Sequence, residues 1–173
     1  MKEKGYIQVY TGNGKSKTTA CMGLALRAAG AGFKVFIGQF LKGQKYSELK
    51  SFEMLAPYIE FKQLGGKSFV FGKPTDDDIA QALEGFEICK EKLLSGNYDV
   101  VIMDEINVAQ HIGLIPLEKV LELMDNKPPH TELIMSGRYA AQEIMDKADL
   151  VTEMREIKHY YNIGVDARTG IEK

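Results

Sequence analysis

Between positions 11 and 19 the chain reads Thr11-Gly12-Asn13-Gly14-Lys15-Ser16-Lys17-Thr18-Thr19. Glycines, a lysine and two adjacent hydroxyls in this order suit the gripping of a polyphosphate. The N–H groups of a tight loop point at phosphate oxygens, and the start of a helix adds its partial positive charge. Lys17 brings a full charge to the phosphates. Thr18 offers a hydroxyl to a Mg²⁺ ion, and Thr19 a further hydroxyl on the same turn. The stretch departs twice from the standard P-loop pattern: Thr11 stands where the first glycine is usual, and Ser16 where a glycine precedes the lysine. Gly12 and Gly14 are expected to supply the positive-φ freedom that the loop needs.

A second element complements the first. Val100-Val101-Ile102-Met103-Asp104-Glu105 is an apolar run ending in two carboxylates, the form of a Walker B strand. Asp104 is expected to hold Mg²⁺ directly or through water, and Glu105 to orient a water or assist the metal. Such a strand is expected beside the one that feeds the phosphate loop.

The elements that must position these residues alternate along the chain. Tyr6–Tyr10 reads as a strand, and Lys17 to about Ala31 as a helix ended by Gly32. Lys34–Gln39 is a strand, Ser47–Ala56 a short helix stopped by Pro57, and Ile59–Gln63 a strand. Thr75 caps a helix whose first turn holds Asp76, Asp77 and Asp78; apolar positions keep helical spacing until Gly96. Val100–Asp104 is the acidic strand. A helix follows from Pro116 to about Asn126, then strand Thr131–Ser136, helix Ala140–Lys147 and strand Leu150–Glu153. Strands separated by helices predict a parallel sheet covered on both faces, with the ligand at the carboxyl ends of the strands.

With 173 residues, 45% of them apolar and 27% charged, the chain is expected to form a single domain over residues 1–173. A net charge of -2 speaks against a broad nucleic-acid footprint. No apolar run is long enough for a membrane span. Met1-Lys2-Glu3-Lys4 leads straight into a strand, without the look of a signal peptide. Cys21 and Cys89 lack metal-ligand spacing and fall on apolar helical faces, which predicts buried thiols and a reducing, cytoplasmic setting. The lone histidines His111, His130 and His159 have no partners at ligand spacing, so packing or surface roles are expected.

The ordered set of motifs resembles the ATP:corrinoid adenosyltransferases of cobalamin biosynthesis. The phosphate loop of that family also begins with Thr, as Thr11 does here; Ser16 remains a departure, where the family has Gly. Gln39-Phe40-Leu41-Lys42-Gly43, Asp104-Glu105, Ser136-Gly137-Arg138 and Ala148-Asp149-Leu150-Val151-Thr152-Glu153-Met154-Arg155 follow in family order, and then Lys158-His159, Gly164, Ala167-Arg168 and Gly170-Ile171-Glu172. The resemblance implies a three-layer α/β fold of the RecA-like P-loop NTPase type, with a mostly parallel central sheet. It implies transfer of the 5′-deoxyadenosyl group of ATP to the cobalt of a Co(I) corrinoid such as cob(I)alamin or a cobyrinic-acid intermediate, with release of triphosphate. Mg²⁺, an electron donor such as a flavoprotein, and a homodimer belong to the same expectation.

Site residues follow from the same resemblance. Lys17, Thr18 and Glu105 would be catalytic, with Thr18, Asp104 and Glu105 around Mg²⁺. Residues 11–19, Arg27 and Arg138 would contact the nucleotide. The segment Gly65-Gly66-Lys67-Ser68-Phe69-Val70-Phe71-Gly72-Lys73-Pro74 is similar to the one in which two aromatics sit beneath the corrin and displace its lower axial ligand; here these are Phe69 and Phe71. Phe40, with Lys42 and Tyr46, would border the same pocket. Two other functions are compatible with the residues alone: a P-loop phosphotransferase or ATPase, and a nucleotide-gated corrinoid carrier without turnover.

Overall fold

The structure, a computed structural model, describes residues 4–41, 47–65 and 72–172. Among the described residues six strands form one sheet: β1 (Ile7–Thr11), β2 (Val35–Phe40), β3 (Ile59–Leu64), β4 (Val100–Asp104), β5 (Glu132–Ser136) and β6 (Leu150–Glu153), in the order β3-β2-β4-β5-β1-β6. Every strand pair is parallel. The expectation that the acidic strand neighbours the strand feeding the phosphate loop is not met, because β5 lies between β4 and β1.

The apolar runs explain the layering. All six residues of β2 and all five of β4 are buried, as expected of parallel strands covered on both faces. Alternate residues serve opposite faces. Val35, Ile37, Val100, Ile102 and Ile134 pack with Cys21, Ala25, Ala28 and Ala29 of helix α1 (Lys17–Gly30) and Phe52 of α2 (Ser47–Met54). Phe36, Phe40, Val101, Met103, Leu133 and Met135 pack on the other face with Phe86, Cys89 and Leu93 of α3 (Asp76–Leu94). The same cluster takes in residues of α4 (Ile106–His111), α5 (Leu117–Asp125) and α6 (Gln142–Lys147). Phe40 is thus packed in the core, 1% exposed.

Local signals account for most boundaries. Thr75 caps α3 reciprocally with Asp78, each side chain accepting from the other residue's N–H at 3.2 and 2.9 Å, a capping box. Helix α3 lies close on the sheet because Gly38 leaves room for Cys89; a Cβ at that position would stand 2.4 Å from Cys89 Sγ. Both cysteines are buried, and burial pushes the Cys89 thiol far up from its ordinary value. Helix α4 is an addition to the sequence reading. It starts immediately after β4 with Glu105 at φ 63 and no side-chain cap, so none of the usual start signals precedes it. The edge strand β6 is exposed at all four positions.

Candidate nucleotide site

Helix α1 begins at Lys17, directly after the loop that leaves β1. The loop's shape differs from the expected distribution of glycine conformations. Gly12 has φ 93, as expected, but Gly14 does not have positive φ. Ser16 takes that conformation instead, at φ 92 and ψ 3, where an L side chain is strained by roughly 1–2 kcal/mol. Gly14 is needed for another reason: a Cβ there would lie 2.8 Å from the carbonyl oxygen of Met154 and 2.9 Å from the carbonyl carbon of Arg155. The segment leaving β6 lies against the phosphate loop at that point.

Lys17 is 7% exposed. Its Nζ donates to the carbonyl oxygens of Gly12 and Gly14 at 2.7 and 2.6 Å, which holds its charge inside the concave loop. Thr18, one residue on, approaches Asp104 at the end of β4, its Oγ1 standing 3.1 Å from both carboxylate oxygens. Asp104 is fully buried and also accepts from Gln39 Nε2 at 2.9 Å and from Ser136 Oγ at 2.5 Å. The intervening β5 therefore fills the gap between the acidic strand and the loop strand with a hydroxyl aimed at the carboxylate. Thr11 is the last residue of β1 and is buried; its Oγ1 accepts from the N–H of Ala140 at 3.3 Å, so its side chain braces the loop after β5.

These elements open onto a cavity of about 770 Å³, a size suited to one ligand of nucleotide dimensions. Asn13, Gly14, Lys15, Ser16, Lys17, Thr18, Thr19, Glu105 and Arg138 line it. Arg27, in the last turn of α1, is exposed and does not line it; at 1.5 Å rise per residue it lies about 15 Å up the helix from Lys17. Phe40 is absent from the lining as well. Phe69 and Phe71, like Lys42 and Tyr46, lie outside the described residues.

Sequence reasoning missed several lining residues. Val108 and Ile112, on and just after α4, form an apolar wall with Tyr139. The Tyr139 ring stacks on His111, with centroids 4.5 Å apart, so His111 packs as expected. Ser47, Glu48 and Ser51 come from α2, and Glu156, His159, Gly170, Ile171 and Glu172 from the carboxyl-terminal tail. His159 Nδ1 accepts from the N–H of Tyr161 at 3.0 Å. Glu172 stands 4.0 Å from Lys15 Nζ. The Arg168 guanidinium first, and then the Tyr160 hydroxyl, hold the Glu172 carboxyl well down, at about 2. No local signal marks a distant tail as part of a pocket.

The donor set suits Mg²⁺. Thr18, Asp104 and Glu105 offer hard oxygens beside a loop built for phosphates, which matches an ion that keeps waters and shares phosphate oxygens. Among the described residues no group of three or more His, Cys, Asp or Glu could hold a metal by itself, so the fit is to an ion completed by its nucleotide. No helix among the described residues is long and apolar enough to cross a membrane.

Comparison with known proteins agrees with this geometry. Residues 3–172 match the model of the family described as ATP:corrinoid adenosyltransferase BtuR/CobO/CobP. The corrinoid adenosyltransferase of Escherichia coli K12 is 34% identical over 171 residues, which cover 98% of this chain and 86% of that protein. The Salmonella typhimurium corrinoid adenosyltransferase CobA is 34% identical, covering 99% and 87%. That of Pseudomonas aeruginosa is 32% identical, covering 98% and 84%. Among solved structures, a KaiC-like protein of Pyrococcus horikoshii superposes with a TM-score of 0.55 at 17% identity, covering 90% of this chain and 75% of that one, a likeness of fold.

Proposed function

The chain belongs to the ATP:corrinoid adenosyltransferase family, and on that premise we propose that it transfers the 5′-deoxyadenosyl group of ATP to the cobalt of a Co(I) corrinoid such as cob(I)alamin. The electron pair of Co(I) forms the cobalt–carbon bond to C5′. The bond from C5′ to the triphosphate oxygen breaks, and its electrons leave on triphosphate. Cobalt ends formally as Co(III).

The observation that carries this reading is that Lys17 and Thr18 line one cavity, with Thr18 Oγ1 3.1 Å from both carboxylate oxygens of Asp104, buried behind it. Negative charge grows on the leaving triphosphate, so the site's task is to receive it. In this reading Lys17 exchanges the carbonyls of Gly12 and Gly14 for phosphate oxygens. The N–H groups of the loop and of the first turn of α1 add their dipoles, and Arg138 closes the rim. Thr18, Asp104 and Glu105 would hold Mg²⁺, which supplies further neutralisation of the triphosphate when bound. The phosphates being anchored, the fixed loop also orients C5′ for in-line attack.

The corrinoid side rests on the family resemblance: Phe69 and Phe71 would lie beneath the macrocycle and exclude its lower axial ligand, which makes reduction to Co(I) easier. A flavoprotein electron donor, a homodimer, a cytoplasmic setting and a single domain over residues 1–173 belong to the same proposal. The test is anaerobic incubation with ATP, Mg²⁺ and cob(I)alamin. The expected result is an adenosylcorrinoid spectrum with one triphosphate per cobalt; ADP in place of triphosphate would overturn it.

A further inference from the structure

Strand β2 is apolar throughout except at Gln39, which is 0% exposed among Val35, Phe36, Ile37, Gly38 and Phe40. A buried amide inside a sheet costs free energy unless its ends are paired. Gln39 Nε2 donates to Oδ2 of Asp104 at 2.9 Å, and Gln39 Oε1 accepts from Gln63 Nε2 at 3.4 Å. Gln63, Gln39 and Asp104 are register partners on β3, β2 and β4. On the far side of the carboxylate, Ser136 of β5, also 0% exposed, donates to Oδ1 at 2.5 Å and accepts from the N–H of Glu105 at 3.2 Å. A row of polar side chains thus crosses four strands at their carboxyl ends and centres on Asp104.

The geometry points to Gln39, backed by Ser136, as a positioning residue that presents the Asp104 carboxylate to a divalent cation beside Thr18. This rests on the Mg²⁺ part of the function proposed above. The terminal torsion of an aspartate is broad, and a donor at each oxygen pins it. Both of these donors are neutral, so neither offsets the carboxylate's charge as a lysine or arginine in its place would. Gln63 fixes the amide's orientation, since its own amide donates to Gln39 Oε1 and leaves Nε2 for Asp104.

The test uses the full chain and ATP, titrated calorimetrically in EDTA and in Mg²⁺. Mn²⁺, read by loss of its free-ion EPR signal, reports the cation directly. Wild-type protein is expected to bind ATP more tightly with the cation than in EDTA. Gln39→Leu takes one hydrogen-bond partner from each of Asp104 and Gln63 and so melts somewhat lower; it is expected to keep its ATP affinity in EDTA, and to lose roughly tenfold in Mn²⁺ affinity for the ATP complex. Ser136→Ala should move in the same direction, and it decides the matter by the same readout if Gln39→Leu does not fold. Unchanged Mn²⁺ affinity in the folded variant overturns the proposal alone. Equal losses with and without cation also overturn it, because a merely structural role weakens both. Wild-type ATP affinity that ignores the cation overturns the metal reading, and this proposal with it.

Discussion

The N–H of Gly14 donates to the carbonyl oxygen of Met154 across 2.7 Å, and the N–H of Met154 donates to the carbonyl oxygen of Thr11 at 2.8 Å. The phosphate loop is therefore sewn to the chain that leaves the edge strand β6, and its curvature depends on residues from the far end of the sequence. Gly14→Ala would push a Cβ against backbone atoms at 2.8 and 2.9 Å, which cannot turn aside as a side chain can. The expected cost is about 1–3 kcal/mol, seen as a melting temperature lowered by several degrees, together with weaker ATP binding in calorimetry. An unchanged melting temperature and affinity would mean that the loop does not depend on this seam.

Ser16 makes the opposite prediction. Held at φ 92, it stores roughly 1–2 kcal/mol of strain, partly offset by the larger unfolded-state entropy of glycine, roughly 0.5–1 kcal/mol. Ser16→Gly should raise stability by up to about 1 kcal/mol, or about 2–4 °C in melting temperature, with ATP binding retained. Ser16→Val, branched at Cβ in a conformation that such residues avoid, should move the midpoint down. Thermal melts of the pair check the sign; a glycine variant that melts lower would refute the strain.

Lys17→Ala removes the cation that the growing triphosphate charge needs. Turnover should fall by about 10²–10³-fold while far-UV circular dichroism stays the same, since the helix and sheet do not depend on the Nζ group. Lys17→Arg should not restore the rate, because a planar fork does not replace a point charge inside a tight loop. A wild-type rate in the alanine variant would end the phosphate assignment.

The tail carries a pH dependence. The folded-state pKa of Glu172 is depressed from 4.5 to about 2, chiefly by Arg168 and then by Tyr160. A depressed value means that the carboxylate's contribution is present above its ordinary pKa and is lost as pH falls through about 2. Between these limits the contacts of Glu172 with Arg168 and Lys15 should weaken progressively. The Glu172 carboxyl carbon, followed by NMR, should titrate near 2; a midpoint near 4.5 would place the tail free of Arg168.

The aromatic segment makes a kinetic prediction. If Phe69 and Phe71 exclude a lower axial ligand, Phe71→Ala should slow adenosylation starting from Co(II) more than adenosylation starting from corrinoid chemically reduced to Co(I). Rates measured under both conditions decide this, and equal losses would count against the axial-ligand role.

What the sequence determined by itself is local. The phosphate loop, the acidic strand, the capping box of Thr75 and Asp78, and the alternation of strands and helices all depend on residues within a few positions of one another, so their signals are contiguous. Tertiary structure alone decided which strands are neighbours. It set β5 between β4 and β1, and so made Ser136 and Gln39 the partners of Asp104. It gave the positive φ to Ser16 rather than Gly14, and it set the backbone of Met154 and Arg155 against the loop at Gly14. It kept Arg27 off the cavity and Phe40 in the core, and brought the tail from Glu156 to Glu172 to the cavity wall. The physical reason is the same each time: these outcomes are contacts between segments far apart in sequence, set by register and packing across the sheet, and no pattern within a single segment records them.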